Sequence, residues 1–142
     1  MKRQLFFLIS TLLTLFVWSA CNDRSDLIVG KWERFDDRAA GSIIKVEKKG
    51  DVYQGSLIYT AEELASYGFK PKDIKWKNVK LKETNYYIAQ DLQKGVDANG
   101  EVKKTTYVDI YIELVSDDIL ELSEFAKGQE AFGTHQKWKR IE

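Results

Sequence analysis

The chain of 142 residues has very few of the side chains that build covalent or metal-based scaffolds. It contains one cysteine, Cys21, one histidine, His135, and one proline, Pro71. A single thiol cannot form a disulfide within the chain, and one histidine does not supply the three or four ligands that zinc requires. Basic and acidic residues number 22 each, so there is no basic surplus to hold nucleic acid. Gly-rich phosphate loops are also absent. We therefore predict no catalytic residue, no metal ligand, no cofactor and no nucleic-acid partner.

The N-terminus carries the one long apolar run of the chain. Lys2 and Arg3 form a basic head, residues 5–18 are almost all apolar, and the small residues Ser19 and Ala20 stand directly before Cys21. A membrane-spanning helix needs about 20 apolar residues, so this run is short for a span. A charged start, an apolar middle and small residues at the end are typical of a secretory signal. An uncleaved anchor helix and a plain secretory peptide are the alternatives.

With its cysteine, this segment resembles the signal of bacterial lipoproteins. The resemblance implies cleavage before Cys21, a diacylglycerol on its thiol, acylation of its new amine by a fatty chain such as palmitate, and a membrane partner through that lipid. It divides the chain into a signal peptide (1–20), a lipidated cysteine with its tether (21–27) and one domain (28–142). Asn22 follows the cysteine where Asp often marks inner-membrane retention. We therefore expect a bacterial cell-envelope location, in the outer membrane rather than the inner.

Period-two alternation dominates the rest of the chain. Residues 105–114 alternate polar and apolar over ten positions, which predicts a strand with one buried face. Similar runs between turn signals predict eight strands, near 31–36, 42–49, 52–59, 73–83, 86–93, 103–115, 119–126 and 132–141. Residues 60–68 predict one short helix, with Thr60 and Glu63 as a capping box and Gly68 at its end. We expect an all-β, eight-stranded antiparallel up-and-down barrel with this helix between the third and fourth strands.

The first strand opens with Gly30-Lys31-Trp32, which resembles the Gly-x-Trp pattern of lipocalins and the wider calycins. The resemblance implies a lipocalin-like barrel in which Trp32 closes one end and a basic residue of the last strand stacks on its ring. Arg140 is the candidate for that residue, and a guanidinium over an indole contributes about 0.5–2 kcal/mol.

A closer likeness covers most of residues 28–141. The chain resembles the bacterial domain of unknown function 2147 family, which implies a small exported lipocalin-like barrel without an assigned activity. Lys49 and Gln54 stand where many members carry cysteines, so a role for such a pair is absent here. The segments that carry the likeness are IVGKW (28–32), KGDVYQG (49–55), NG (99–100) and QKWKR (136–140).

Ligand contacts are expected near the helix and on the strands beside it. Aromatic residues make up 13% of the chain, which favours an interior filled with side chains. The lysines between Lys70 and Lys82 are interpreted as the solvated face of a strand, with an anion-binding surface as the alternative. The candidate ligand-binding residues are Tyr59, Leu64, Tyr67, Trp76, Tyr107 and Trp138.

Three functions remain open from the sequence. The leading hypothesis is non-catalytic binding of a small hydrophobic or amphipathic molecule, or of an envelope component, at the barrel mouth near the helix. A rival is a protein-interaction module, such as a hydrolase inhibitor, that acts through the loop 127–132 on an unknown partner. The second rival is an enzyme of unrecognised type. A carrier needs an apolar void of a few hundred cubic ångströms, roughly 300 Å³ or more, in the barrel interior, and a solid interior would exclude that function.

Overall fold

A computed structural model describes residues 24–129 and 135–142 of the chain. Cys21 and the signal peptide lie outside the described residues, as do the start predicted for the last strand and the second half, 130–132, of the loop 127–132. Within the described ranges, no helix is long and apolar enough to cross a bilayer. The elements are a 3₁₀ turn (Arg24–Ile28), one helix, α1 (Glu62–Ser66), and the strands β1 (Gly30–Phe35), β2 (Ile43–Lys49), β3 (Val52–Tyr59), β4 (Ile74–Glu83), β5 (Tyr86–Val96), β6 (Val102–Ser116), β7 (Ile119–Ser123) and β8 (Gln136–Arg140).

The eight strands close into one antiparallel barrel in sequence order. Each strand pairs with its neighbours in the chain, and β8 returns to pair with β1 through the partners Trp32 and Arg140. Closure satisfies the backbone groups that an open sheet would leave exposed at its edges. The prediction of an all-β, eight-stranded up-and-down barrel with one short helix between β3 and β4 is confirmed.

The start of α1 differs from the prediction. Thr60 does not cap the helix: the N-cap position is Ala61, whose side chain makes no capping hydrogen bond. The backbone N–H of Ala61 instead donates to the hydroxyl of the buried Ser42, at 2.9 Å. The partner of this N–H is therefore a residue 19 positions away, which local pattern cannot reveal. At the other end, Gly68 has a φ of 77° and follows the last helical turn as expected.

Strand β7 is shorter than the predicted 119–126. It ends at Ser123, because the Ser123 hydroxyl accepts the N–H of Phe125 at 3.0 Å and turns the chain away from the ladder. Strand β5 runs three residues beyond the predicted 86–93, because its partner β6 is longer still, with 15 residues against 11, and continues the pairing to Val96 and Val102.

The register gives the barrel two distinct ends. The closed end comprises the turns 50–51, 84–85 and 117–118, the segment 24–29 and residues 141–142. The mouth comprises α1 and the connections 36–42, 60–73 and 97–101.

Large aromatic side chains occupy the interior between these ends. Trp32, Trp76 and Trp138 are fully buried, and the rings of Trp76 and Trp138 meet edge to face with centroids 5.2 Å apart. Gly55 makes room for Trp76, since a Cβ at this position would lie 3.1 Å from the indole. The remaining large, fully buried side chains are aliphatic except for Tyr87: Ile28, Ile44, Val46, Leu57, Ile110, Ile112, Leu120 and Leu122.

Candidate functional site

A cavity of about 460 Å³ opens at the mouth. It lies between the β1–β2 connection, α1 and the first residues of β8. Ala39 and Leu64 are buried at its base and Tyr67 is exposed at its rim, so apolar and charged groups face the same space. The lining residues of this mouth cavity are Arg34, Asp36, Asp37, Arg38, Ala39, Glu63, Leu64, Tyr67, His135 and Gln136.

Arg34 links the mouth cavity to the tryptophans beneath it. Strand pairing puts Arg34 opposite Trp138, and its guanidinium carbon lies 5.8 Å from the centroid of that ring. The guanidinium also contacts both carboxylate oxygens of Asp37, with Nε–Oδ2 at 2.8 Å and Nη2–Oδ2 at 2.6 Å. Asp37 in turn accepts the N–H of Ala39 at 2.9 Å. These contacts hold Arg34 in one position and leave the wall of the cavity nearly neutral at this point.

A buried ion pair lies on β4 and β5 near the mouth. The ammonium group of Lys75 lies 2.6 Å from each carboxylate oxygen of Asp91 and donates to the carbonyl of Leu92 at 2.7 Å. The two residues are 3% and 2% exposed. Burial lowers the pKa of Lys75 and raises the pKa of Asp91, and each partner opposes that shift in the other. Each group therefore depends on the other to stay charged inside the protein.

A second ion pair fixes the connection that carries α1. Lys94 lies 2.6 Å from the carboxylate of Asp73 and donates to the carbonyl of Gly68 at 2.9 Å. The ring of Phe69 lies 5.3 Å from the Lys94 ammonium and 5.0 Å from that of Lys75. The segment after α1 is thus attached to β4 and β5 by charge, ring and backbone contacts, which makes the mouth a defined surface.

Three buried polar atoms in this part of the barrel have no hydrogen-bond partner among the described residues. They are the indole nitrogens of Trp76 and Trp138 and the amide oxygen of Gln136. Gln136 lines the mouth cavity, and Trp138 lies under Arg34. A buried polar atom without a partner costs about 1–3 kcal/mol. The two indole nitrogens lie in the core, so only the amide oxygen of Gln136 belongs to a residue that a group bound in the mouth cavity can reach.

The structure separates the six residues expected to bind a ligand. Leu64 and Tyr67 line the mouth cavity. Trp76 and Trp138 lie in the core rather than on an open surface. Tyr59 is 56% exposed at the end of β3 and does not line the cavity. Tyr107 is half-buried against the core and does not line the cavity; its hydroxyl donates to the Ile74 carbonyl at 2.9 Å.

Trp32 and Arg140 meet at the closed end. The guanidinium carbon of Arg140 lies 4.2 Å from the centroid of the Trp32 ring. Arg140 also donates to the carbonyls of Val29 and Asp117, both at 2.8 Å, and to that of Leu27. One side chain therefore joins the N-terminal 3₁₀ turn, the β6–β7 turn and the first strand.

The basic stretch between Lys70 and Lys82 is only partly a solvated face. Its exposed members are Lys70, Lys72, Lys80 and Lys82. The expectation of solvation is wrong for Lys75, because it is buried against Asp91. A signal for the burial of Asp91 is present in the sequence but is easily missed. Asp91 follows Tyr87 and Ala89 at steps of two residues, so it lies on the same face of β5, which is the face toward the core.

Two further cavities open on the outer wall. One, of about 470 Å³, lies over β4–β6, where Asn78 donates to Gln90 at 3.0 Å and Gln90 donates to Asp109 at 3.2 Å. The other, of about 280 Å³, is lined by the stacked pair Tyr86 and Tyr111 and by charged residues of β6–β8. The mouth cavity differs from both because it combines buried Ala39 and Leu64 with the amide oxygen of Gln136, which has no hydrogen-bond partner among the described residues, so we regard it as the candidate site.

Fold and site together define a closed antiparallel barrel with a filled core and a mixed polar and apolar mouth. Comparisons with family models, with curated proteins and with solved structures return no match for this chain. Among residues 24–129 and 135–142, no three His, Cys, Asp or Glu side chains converge as they would around a metal ion.

Proposed function

We propose that the protein is a lipid-anchored envelope protein whose barrel binds a small amphipathic molecule at the mouth cavity without transforming it. The observation that carries the proposal is an open space of about 460 Å³ with Leu64 and Ala39 at its base and charged side chains at its rim. Binding cavities of this size typically combine apolar walls with a few placed polar groups.

The position and charge of the cavity restrict the kinds of molecule that can bind there. Because Trp32, Trp76 and Trp138 occupy the interior, the ligand is expected at the mouth rather than deep in the barrel. The rim carries both signs of charge, with two arginines facing the carboxylates of the same cavity. We therefore expect an apolar chain against Leu64 and Tyr67, and a zwitterionic or neutral head near Arg34 and Gln136.

A zwitterionic lysophospholipid, used below its micelle concentration, is a suitable probe. Titration calorimetry should show saturable binding to the purified chain. Tyr67→Glu should weaken that binding, because a carboxylate at the rim disfavours an apolar chain. Ile88→Glu is the matched control, since Ile88 is similarly exposed but lies on the outer wall. No saturable binding, or an equal effect of both substitutions, would contradict the proposed site.

The lipid anchor has its own test. In a bacterial host, the wild-type chain should partition into the detergent phase, and mass spectrometry of its N-terminal peptide should show an acylated Cys21. Cys21→Ser should move the protein to the aqueous phase, because doubly or triply acylated residues anchor stably whereas an unmodified chain does not. Asn22→Asp should shift the protein from outer-membrane to inner-membrane fractions. Unchanged partition of Cys21→Ser would reject the anchor.

A further inference from the structure

We infer that the closed end of the barrel faces the bilayer and that the mouth faces away from it into the aqueous compartment. The inference rests on the proposed acylation of Cys21. It adds the orientation of the folded domain and hence the side from which a ligand reaches the mouth.

The length of the tether limits how far the closed end can move from the lipid. Only Asn22 and Asp23 separate Cys21 from Arg24, the first residue of the 3₁₀ turn. Three residue steps span at most about 11 Å. The 3₁₀ turn itself is attached to the closed end, because Arg140 binds the carbonyls of Leu27 and Val29 and stacks on Trp32. Whatever path the tether takes, Cys21 therefore lies within about 11 Å of Arg24.

The mouth lies at the other end of the strands. Strand β5 has 11 residues and runs from the turn 84–85 at the closed end to the connection 97–101 at the mouth. At about 3.3 Å per residue and a tilt of about 40°, such a strand separates the two ends by roughly 25 Å. An upright barrel thus holds the mouth beyond the reach of the headgroups.

Surface chemistry favours the upright position over a barrel lying on its side. Three exposed aliphatic side chains surround the closed end: Val29 before β1, Val115 near the end of β6 and Ile141 after β8 are 37%, 55% and 42% exposed. The wall over β4–β6 exposes an aliphatic side chain, Ile88, beside the hydrogen-bonded row of Asn78, Gln90 and Asp109. Aliphatic groups gain by entering the headgroup region, whereas a polar row loses its contact with water there. The mouth also exposes apolar side chains, so the short tether, and not the surface, decides which of the two ends faces the lipid.

The closed end is expected to contact a bilayer with zwitterionic headgroups. The charged side chains of the closed end have both signs, as in the pairs of Lys48 with Asp26 and Lys31 with Glu142. A surface of mixed sign has no strong preference for anionic lipids. In this orientation, the mouth cavity exchanges its ligand with the aqueous side rather than with the membrane that carries the anchor.

Fluorescence quenching by headgroup-labelled lipid tests the orientation in the lipidated protein. Asp51→Cys places a single label in the β2–β3 turn at the closed end, and Ala98→Cys places one in the β5–β6 connection at the mouth; both positions are exposed. Each variant is reconstituted in phosphatidylethanolamine–phosphatidylcholine vesicles that contain a headgroup nitroxide. We expect the label at position 51 to lose most of its fluorescence and the label at position 98 to lose little.

The outcomes separate the orientation from the anchor. Equal quenching at both positions, or stronger quenching at position 98, would overturn the orientation while leaving acylation intact. Vesicle binding is measured in the same samples, with Cys21→Ser as the unlipidated control. If the wild-type chain binds vesicles no better than this control, the anchor itself fails and the orientation is rejected with it.

Discussion

The buried pair of Lys75 and Asp91 gives the sharpest test of the energetics. Asp91→Asn keeps the shape of the side chain but removes the charge that faces Lys75, which is 3% exposed. Removal of one partner of a buried pair typically costs about 3–5 kcal/mol of unfolding free energy. Lys75 can limit this cost by losing its proton. Starting from its ordinary pKa of 10.5, neutralisation at pH 7 costs about 5 kcal/mol, which sets the upper bound.

Because Lys75 can lose its proton in Asp91→Asn, the stability of this variant is expected to depend on pH. In Asp91→Asn, burial without a counter-ion holds the pKa of Lys75 below its value in the unfolded chain. The unfolded state then binds more protons than the folded state between those two pKa values, so stability rises with pH in that window. We therefore expect the deficit of Asp91→Asn against the wild type to shrink as the pH is raised from 7 towards 10.

The double variant Lys75→Met with Asp91→Leu separates charge from packing. Both charges disappear together, so we expect its stability to lie within about 2 kcal/mol of the wild type, even though the Leu92 carbonyl loses a donor. Lys139→Met is the surface control. The Lys139 side chain is 47% exposed and pairs with Glu33 at 3.2 Å, so its removal should change stability by no more than about 1 kcal/mol.

Chemical denaturation followed by far-UV circular dichroism measures the unfolding free energy of the wild type and the three variants. Tryptophan fluorescence is a second probe, because Trp76 adjoins Lys75. Two outcomes would refute the reasoning. One is a loss for Asp91→Asn no larger than that of Lys139→Met. The other is a deficit that stays constant between pH 7 and pH 10, which would mean that Lys75 does not titrate in the folded variant.

Three further predictions concern the two ends and the core. Arg140→Lys should cost about 1–3 kcal/mol by denaturation, because one ammonium group cannot reproduce three backbone hydrogen bonds and the ring contact. Gly55→Ala should cost about 1–3 kcal/mol, because its Cβ would lie 3.1 Å from Trp76, whereas Gly95→Ala meets its nearest neighbour at 3.6 Å and should cost less. The backbone N–H of Glu101 lowers the pKa of Asp97, so the stabilisation from this carboxylate is present above its unfolded pKa and is lost as the pH falls through the folded pKa. Asp97→Asn should therefore be less stable than the wild type at pH 7, and the difference should shrink as the pH is lowered below the unfolded pKa.

Each of these has an outcome that contradicts it. Full stability of Arg140→Lys would show that the closed end does not depend on the guanidinium. Equal losses for Gly55→Ala and Gly95→Ala would mean that strand propensity, rather than crowding at Trp76, sets the cost. A stability difference for Asp97→Asn that does not shrink as the pH is lowered from 7 would show that the carboxylate charge is not its source.

Most of the fold could be predicted from two features of the sequence, the alternation of polar and apolar residues and the residues typical of turns. The pattern of residues 105–114 and the turns at Gly50, Asn85 and Gly100 predict strands and hairpins locally, because side chains on a strand alternate faces and positive φ favours Gly and Asn. The side-chain hydrogen bond to the start of α1 could not be predicted in this way. It comes from Ser42, which is distant in sequence and adjacent only in the closed barrel.

The candidate site was less accessible to sequence reasoning than the fold. Leu64 and Tyr67 were placed near the mouth because they lie on the predicted helix, and both line the cavity. Trp76 and Trp138 are of a residue type that often contacts ligands, but here they pack against each other in the core. Lys75 resembles its solvated neighbours in the sequence, and only the position of Asp91 across the β4–β5 ladder explains its burial.

By itself, the sequence determined that this chain forms a closed antiparallel barrel without disulfides, since period-two patterning and turn chemistry are local properties of the chain. The tertiary structure decided which tryptophans fill the interior, which lysine is buried and where a cavity opens. These outcomes depend on strand register and ring packing around a closed sheet, where residues separated by a hundred positions become neighbours. Local patterns do not encode such distances, so the mouth and its charges become visible only in the folded molecule.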